Sequence, residues 1–179
     1  MASRPLVPEY IDELVPYAPG KPISEVQREL GLDYAIKLAS NENPLGPSPK
    51  ARDAIKKAAD DLHFYPDGGC YYLRRALSAK FDVPPDTLLL GNGSNELIEL
   101  LVHAFVLPGT HMVTSASTFV IYKLATKVRG RDVREVPLGA DRGYDLQALA
   151  QAVNPDTRLV FIANPNNPTG THLGAAELD

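Results

Sequence analysis

Cysteine is all but absent. Cys70 is the only one among 179 residues, which excludes an internal disulfide and a cysteine-based zinc site and suits a reducing compartment. Long hydrophobic runs are missing too: none approaches the roughly 20 apolar residues of a membrane span, and the opening MASRPLVPEY has no apolar h-region. A cytoplasmic protein is expected. Charge of one sign is also lacking, because the formal net charge of -4 comes with no basic block, so neither nucleic acid nor an anionic membrane is an expected partner. The histidines His63, His103, His111 and His172 show no metal-ligand spacing, and no metal site is expected. No GxSxG, HExxH or paired-carboxylate pattern appears, which leaves hydrolase readings without an anchor.

What remains is an ordinary soluble composition, 44% hydrophobic and 22% charged, long enough for a domain with a real core. Pro5, Pro8, Pro16, Pro19 and Pro22 make the first 22 residues an expected extended arm. Ser24 and Gln27 form a capping-box pattern ahead of a short helix over 24–30, ended by Gly31. Residues 41–49 read as loop, with Ser48 as N-cap and Pro49 as first helical residue. The next helix carries Ala51, Ile55, Ala58, Ala59 and Leu62 on one face. A turn over Tyr65–Gly69 leads to a helix through Leu73, Ala76, Leu77 and Phe81, stopped by Pro84 and Pro85. From Asp86 onward short apolar runs alternate with amphipathic ones. The spacing predicts strands near 87–91, 111–115, 132–136 and 158–163, with helices near 94–106, 118–129 and 145–153 between them. That rhythm predicts an α/β fold with a mainly parallel sheet flanked by helices, the strand near 158–163 being central in the intact sheet. Ending a chain just beyond such a strand leaves an apolar edge exposed, so an isolated piece is expected to be marginal or to aggregate.

Three segments after strands carry candidate chemistry. In LLLGNGSNELI, residues 88–98, Gly91 and Gly93 allow close backbone approach, and the amides of Ser94 and Asn95 open a helix toward a bound anion. Taken alone, it is equally a tight strand-to-helix turn, for Glu96 breaks a GxGxxG frame and no GK[ST] ending follows. In STFVIY, residues 117–122, Phe119 can cover a planar ligand, although packing is the commoner role of such an aromatic and is the role expected of Tyr122. In NPNNPTG, Asn164–Gly170, two prolines and a glycine shape a tight loop at a strand's carboxyl end, where α/β proteins place ligand contacts. Tyr17, Asn43 and Tyr65 sit in proline-rich loops and read by themselves as turn residues.

In order, SNENPLGPSP, FYPDGG, LLLGNGSNELI, STFVIY and FIANPNNPTG resemble the fold type I pyridoxal-phosphate aminotransferases, and within them the branch acting on histidinol phosphate. The resemblance runs from about Leu14 to the end, and five ordered motifs are more specific than any one of them. It implies that the chain is the N-terminal half of such an enzyme, with residues 1–40 an arm and part of the small domain and 41–179 the first half of the large cofactor-binding domain. It further implies pyridoxal 5'-phosphate as cofactor. Gly93, Ser94 and Asn95 match the phosphate-holding turn, Phe119 the aromatic that stacks on the pyridine ring, and Asn167 the donor to the cofactor's phenolic oxygen. Tyr65 matches a tyrosine that reaches the other subunit's phosphate in a homodimer, while Tyr17 and Asn43 match positions lining the substrate pocket. Asn167–Pro168 is a candidate cis peptide.

Ser117 stands where the family commonly has proline. The larger departure concerns the Schiff-base lysine, the aspartate for the pyridinium nitrogen and the arginines, all of which the family carries beyond its ProThrGly turn; this sequence has no lysine there. No residue of this chain is therefore expected to be the catalytic base, and the chain alone is expected to be inactive. The implied reaction transfers an amino group between histidinol phosphate and 2-oxoglutarate in histidine biosynthesis. An aromatic amino acid aminotransferase, a threonine-phosphate decarboxylase relative, or a non-catalytic phosphate-binding domain are the alternatives.

Overall fold

The structure, a computed structural model, describes residues 6–17 and 20–178. These form two compact units. One joins the described parts of Met1–Pro16 and Leu89–Asp179, and the other is Tyr17–Leu88.

The first unit is built on a parallel three-stranded sheet in the order β2-β1-β3, with β1 His111–Ser115, β2 Asp132–Val136 and β3 Thr157–Val160. All five residues of β1 are buried, as a central parallel strand covered on both faces must be. Met112 faces a cluster with Ile98 and Val102 of α5, Gly93–Phe105, and Ala125 of α6, Val120–Lys127. Its neighbour Val113 points the other way, to Val136 and to Leu149 of α7, Leu146–Ala152. Strand alternation thus divides one five-residue segment between two helix layers. Pairing runs in register from His111↔Asp132 to Ser115↔Val136, whereas a bulge between His111 and Met112 shifts the pairing with β3. Asp145 caps α7 by accepting from Ala148 N–H at 2.9 Å.

The expected strand over 87–91 is not formed. Pro85–Thr87 is a 3-10 turn and Leu88 is extended, but among the described residues no strand pairs with that segment, and a strand needs a hydrogen-bonding neighbour. Among the described strands β1 is the central one, while the expectation for β3 concerns the intact sheet. The arm also differs from expectation, because Glu9–Asp12 makes one helical turn, α1, with Pro8 as its N-cap. Proline is tolerated just ahead of a helix, where its missing N–H is not needed. Tyr10 of α1 lies against Gly130, where an added Cβ would come within 2.8 Å of its ring. Pro5 and Pro19 lie outside the described residues.

The second unit holds α2 Ile23–Leu30, α3 Pro49–Ala58 and α4 Tyr71–Phe81. Gly31 ends α2 in the left-handed region at φ 64°, as its lack of a side chain allows. The Ser24 capping box does not form: Pro22 is the N-cap, and its carbonyl accepts from Glu25 and Val26. Ser48 does cap α3 by position, though its side chain makes no capping bond. α4 stops before the prolines, with Asp82 left-handed and Val83 N–H closing on Ser78 O. Its start depends on Asp67, whose carboxylate accepts from Tyr71 and Gly69 N–H at 2.7 and 2.9 Å and is held below the usual carboxylate range by those two donors, Tyr71 first. Arg74 ties α4 to the following turn by donating to the carbonyls of Gly69, Pro85 and Leu88. None of these three helices buries a residue, so the part of the expected apolar face that lies on α3, Ala51, Ile55 and Ala58, is uncovered, and Ala59 falls in the 3-10 turn after it with Leu62 just beyond.

His111 gives the fold a pH dependence. It is buried at the head of β1 with Nε2 2.7 Å from Thr157 Oγ1. Burial, then Arg134 and more weakly Arg158, push its imidazole below the ordinary value, with Asp156 and Asp132 opposing. The folded state therefore holds this proton less well than the unfolded chain. Its stability contribution is complete above about pH 6.5 and is lost as pH falls from there toward the lowered folded value. Urea midpoints of the complete polypeptide should decline between about pH 7 and pH 5, and His111→Gln should flatten the decline. An unchanged slope in the variant would remove His111 as the cause.

Candidate functional site

Parallel strands deliver their carboxyl ends to one edge, and here three loops leave it: 116–119 after β1, 137–145 after β2 and 161–171 after β3. A single side chain joins them. Asn166, 3% exposed, accepts at Oδ1 from Thr118 Oγ1 at 2.8 Å and lies 2.9 Å from the Tyr144 hydroxyl. Its Nδ2 donates to Ser117 O at 3.0 Å and to Thr169 Oγ1 at 2.8 Å. Its backbone N–H donates to Thr171 O, and its carbonyl accepts from Gly170 N–H, at 2.7 and 2.8 Å. Tyr144 adds a second tie, accepting from Ala163 N–H at 2.9 Å while its hydroxyl lies 3.1 Å from Ala163 O and 3.0 Å from Thr118 Oγ1.

The two ring-contact candidates sit directly beside this knot. Phe119 follows Thr118 and is the N-cap residue of α6, with its ring edge-on to Tyr122 at 5.6 Å. Asn167 follows Asn166, is partly exposed, and its side chain has no hydrogen-bond partner among the described residues. Both Asn164–Pro165 and Asn167–Pro168 are cis, the second as expected. A cavity of about 300 Å³ opens at this edge, lined among others by Ser115, Thr118, Phe119, Lys123, Glu135 and Pro168. Lys123 is held by Glu135 at 2.6 Å. Tyr122 packs, as expected: its ring stacks on Phe161 at 4.5 Å, and burial, with Tyr144 adding to it, raises its hydroxyl pKa.

α5 packs on β1 through Ile98 and Val102 against Met112, and just past its end the Val106 carbonyl accepts from Arg131 Nε, beside the start of β2, at 3.2 Å. Gly93, its first residue, has φ 80°, a conformation that a side chain strains. Ser94 and Asn95 are exposed in the first turn, and their backbone N–H groups have no acceptor among the described residues. Glu96 folds back to accept from Asn92 N–H at 2.5 Å; a Cβ on Gly91 would stand 2.8 Å from that carboxylate and 2.9 Å from Leu97. The carboxylate is thereby spent on the turn, leaving the first-turn amides as net donors with the helix dipole behind them.

Tyr17, Asn43 and Tyr65 belong to the other unit. Asn43 makes a local turn, Oδ1 accepting from Leu45 N–H at 3.0 Å, and Tyr17 and Tyr65 are exposed at 58% and 101%. Sequence reasoning missed Asn166, Tyr144 and Glu96. The Asn-Asn doublet and the carboxylate three residues after Gly93 were visible signals; Tyr144 in RGYDL had none. Among the described residues no group of His, Cys, Asp and Glu could hold a metal ion, and no helix is long and apolar enough to cross a membrane.

The model of the family "aminotransferase class I and II" matches residues 34–179. The chain is 55% identical over 174 residues to a histidinol-phosphate aminotransferase of Anaeromyxobacter sp. (strain Fw109-5), covering 97% of this chain and 48% of that protein. It is 50% identical over 179 residues to one from Moorella thermoacetica, covering 100% of this chain and 46% of the relative. Among solved structures, histidinol-phosphate aminotransferase from Sinorhizobium meliloti in complex with pyridoxal-5'-phosphate superposes with a TM-score of 0.83 at 28% identity, over 99% of this chain and 47% of that one. The chain spans about half the length of the relatives it matches.

Proposed function

Since this chain belongs to the aminotransferase class I and II family and has the α/β fold of the N-terminal part of fold type I enzymes, we propose that it is the N-terminal part of a pyridoxal-phosphate aminotransferase that exchanges an amino group between histidinol phosphate and 2-oxoglutarate in histidine biosynthesis. One observation carries this reading: the loops of Phe119 and Asn167 are tied together through Asn166 at the carboxyl edge of the sheet.

Residues and cofactor fit chemically. A phosphate dianion needs free N–H donors, and Ser94 and Asn95 offer them after a glycine whose missing side chain leaves the backbone open. A flat ring needs an aromatic face, which Phe119 supplies. Asn167 retains a free amide for the phenolic oxygen, and donation there favours the ionised oxygen. When bound, the cofactor supplies the electron sink for the amino-group exchange. In this reading Tyr65 reaches the phosphate site of a second subunit in a homodimer, and Tyr17 and Asn43 line the substrate pocket. Residues 1–40 belong to the arm and small domain of the intact enzyme, and 41–179 to the first half of its large domain.

Borohydride reduction of the complete polypeptide with pyridoxal 5'-phosphate, followed by peptide mass spectrometry, tests the reading. The cofactor should be fixed to one lysine beyond Asp179. No incorporation, or fixation within residues 1–179, overturns it.

A further inference from the structure

Every polar atom of Asn166 is used, and its partners come from three separate loops. The positions of those partners matter. Ser117 and Thr118, which hold it from one side, immediately precede Phe119, and Asn166 itself immediately precedes Asn167. The knot therefore lies one residue from each of two proposed ring contacts. Phe119 and Asn167 arrive on loops that leave β1 and β3 beyond the last ties between those strands, Phe161 N–H to Val113 O at 3.0 Å and Thr114 Oγ1 to Phe161 O at 2.9 Å, so strand pairing by itself does not reach far enough to fix their mutual placement.

Resting on the cofactor reading above, we propose that Asn166, with Thr118 and Tyr144, is a positioning residue that fixes the aim of the Asn167 amide relative to the Phe119 ring. Asn166 does not touch the ring. It acts by preventing independent movement of the two loops: Nδ2 grips the Ser117 carbonyl, and Oδ1 takes donors from Thr118 and, in alternation with Ala163 O, the single proton of Tyr144. A side chain offering two donors and two acceptor sites within a few ångströms is what this junction requires. Asn meets that need, whereas Asp replaces the donors by an acceptor facing the Ser117 carbonyl. A hydrogen-bond donor aimed at the phenolic oxygen lowers the pH at which the bound cofactor loses its proton. Loosening that aim raises it.

The test is the pH midpoint of the bound cofactor's visible absorbance in the complete polypeptide, for Asn167→Ser, Asn166→Ala, Tyr144→Phe, Thr118→Val and Thr118→Ser. Asn167→Ser should raise the midpoint by about one unit. Tyr144→Phe and Thr118→Val should raise it in the same direction by about half a unit, with Thr118→Ser restoring the native value. These two remove one peripheral hydroxyl each, so they keep the test in force even where Asn166→Ala does not fold. A simple loss of stability would lower the melting temperature without moving the midpoint. A shift in Asn167→Ser with native midpoints in Tyr144→Phe and Thr118→Val overturns the positioning role while leaving the cofactor reading intact. Absence of a shift in Asn167→Ser overturns the reading, and the positioning role with it.

Discussion

A polypeptide of residues 1–179 supplied with pyridoxal 5'-phosphate, histidinol phosphate and 2-oxoglutarate is expected to turn over no faster than the free cofactor in buffer. The exchange needs a protein amine with an available lone pair that both holds the cofactor and moves a proton between substrate and cofactor. Lys123 is the lysine that lines the cavity beside Phe119, and it is the rival to exclude. Its Nζ lies 2.6 Å from the Glu135 carboxylate, which holds the side chain against the cavity wall rather than free to reach a bound ring. Lys123 falls within the helix expected near 118–129 and lies on α6; its place on the cavity wall follows from the fold. The measurement is glutamate formation by material free of full-length enzyme. Turnover above background that disappears in Lys123→Ala would make Lys123 the amine and sink the expectation.

Met112→Ala is expected to lower the stability of the complete polypeptide by about 2–5 kcal/mol, the usual range for truncating a buried methionine. Met112 is fully buried on the central strand and fills the space between the sheet and the α5–α6 layer, touching a cluster that includes Ile98, Val102, Val106 and Ala125. Close packing around a parallel strand leaves little room for collapse, so the deleted side chain leaves a cavity in addition to losing its transfer energy. Against a typical total of about 5–15 kcal/mol, that is a large fraction. Urea unfolding reads it directly, with the midpoint falling at unchanged slope. A loss below about 1 kcal/mol would mean that the α5–α6 layer repacks over β1.

The parts of this architecture legible in sequence were those governed by local chemistry. Gly31 and Gly93 occupy positive-φ positions at a helix end and a helix start, because each role needs a backbone that side chains resist. The run HMVTS, 111–115, is a strand buried on both faces, and α3 carries Ala51, Ile55 and Ala58 of its expected apolar face, with Ala59 in the 3-10 turn that follows and Leu62 just beyond it. Local signals also misled. Ser24 with Gln27 reads as a capping box, yet Pro22 takes the N-cap position; the LLL of 88–90 reads as a strand, yet it finds no pairing neighbour among the described residues.

Exposure shows the same division of causes. Ile55, Leu62, Phe64 and Tyr72 have the composition of a packed layer and remain 67–84% exposed, in a chain about half as long as its relatives. Whether an apolar face is covered depends on a partner surface, which helix periodicity does not encode.

By itself the sequence determined the order of helices and strands from Gly93 to Val160, the tight glycine and proline turns, and the set of residues that line up with an aminotransferase family. Those depend on backbone preference and short-range spacing. Only the tertiary structure decided that β1 is central, that Lys123 reaches the cavity, and that of two adjacent asparagines Asn166 is buried in a knot while Asn167 keeps its amide free. Asn166 and Asn167 are chemically identical and adjacent, so what separates them is the set of donors and acceptors brought by Ser117, Thr118 and Tyr144 from 22 to 49 residues away along the chain.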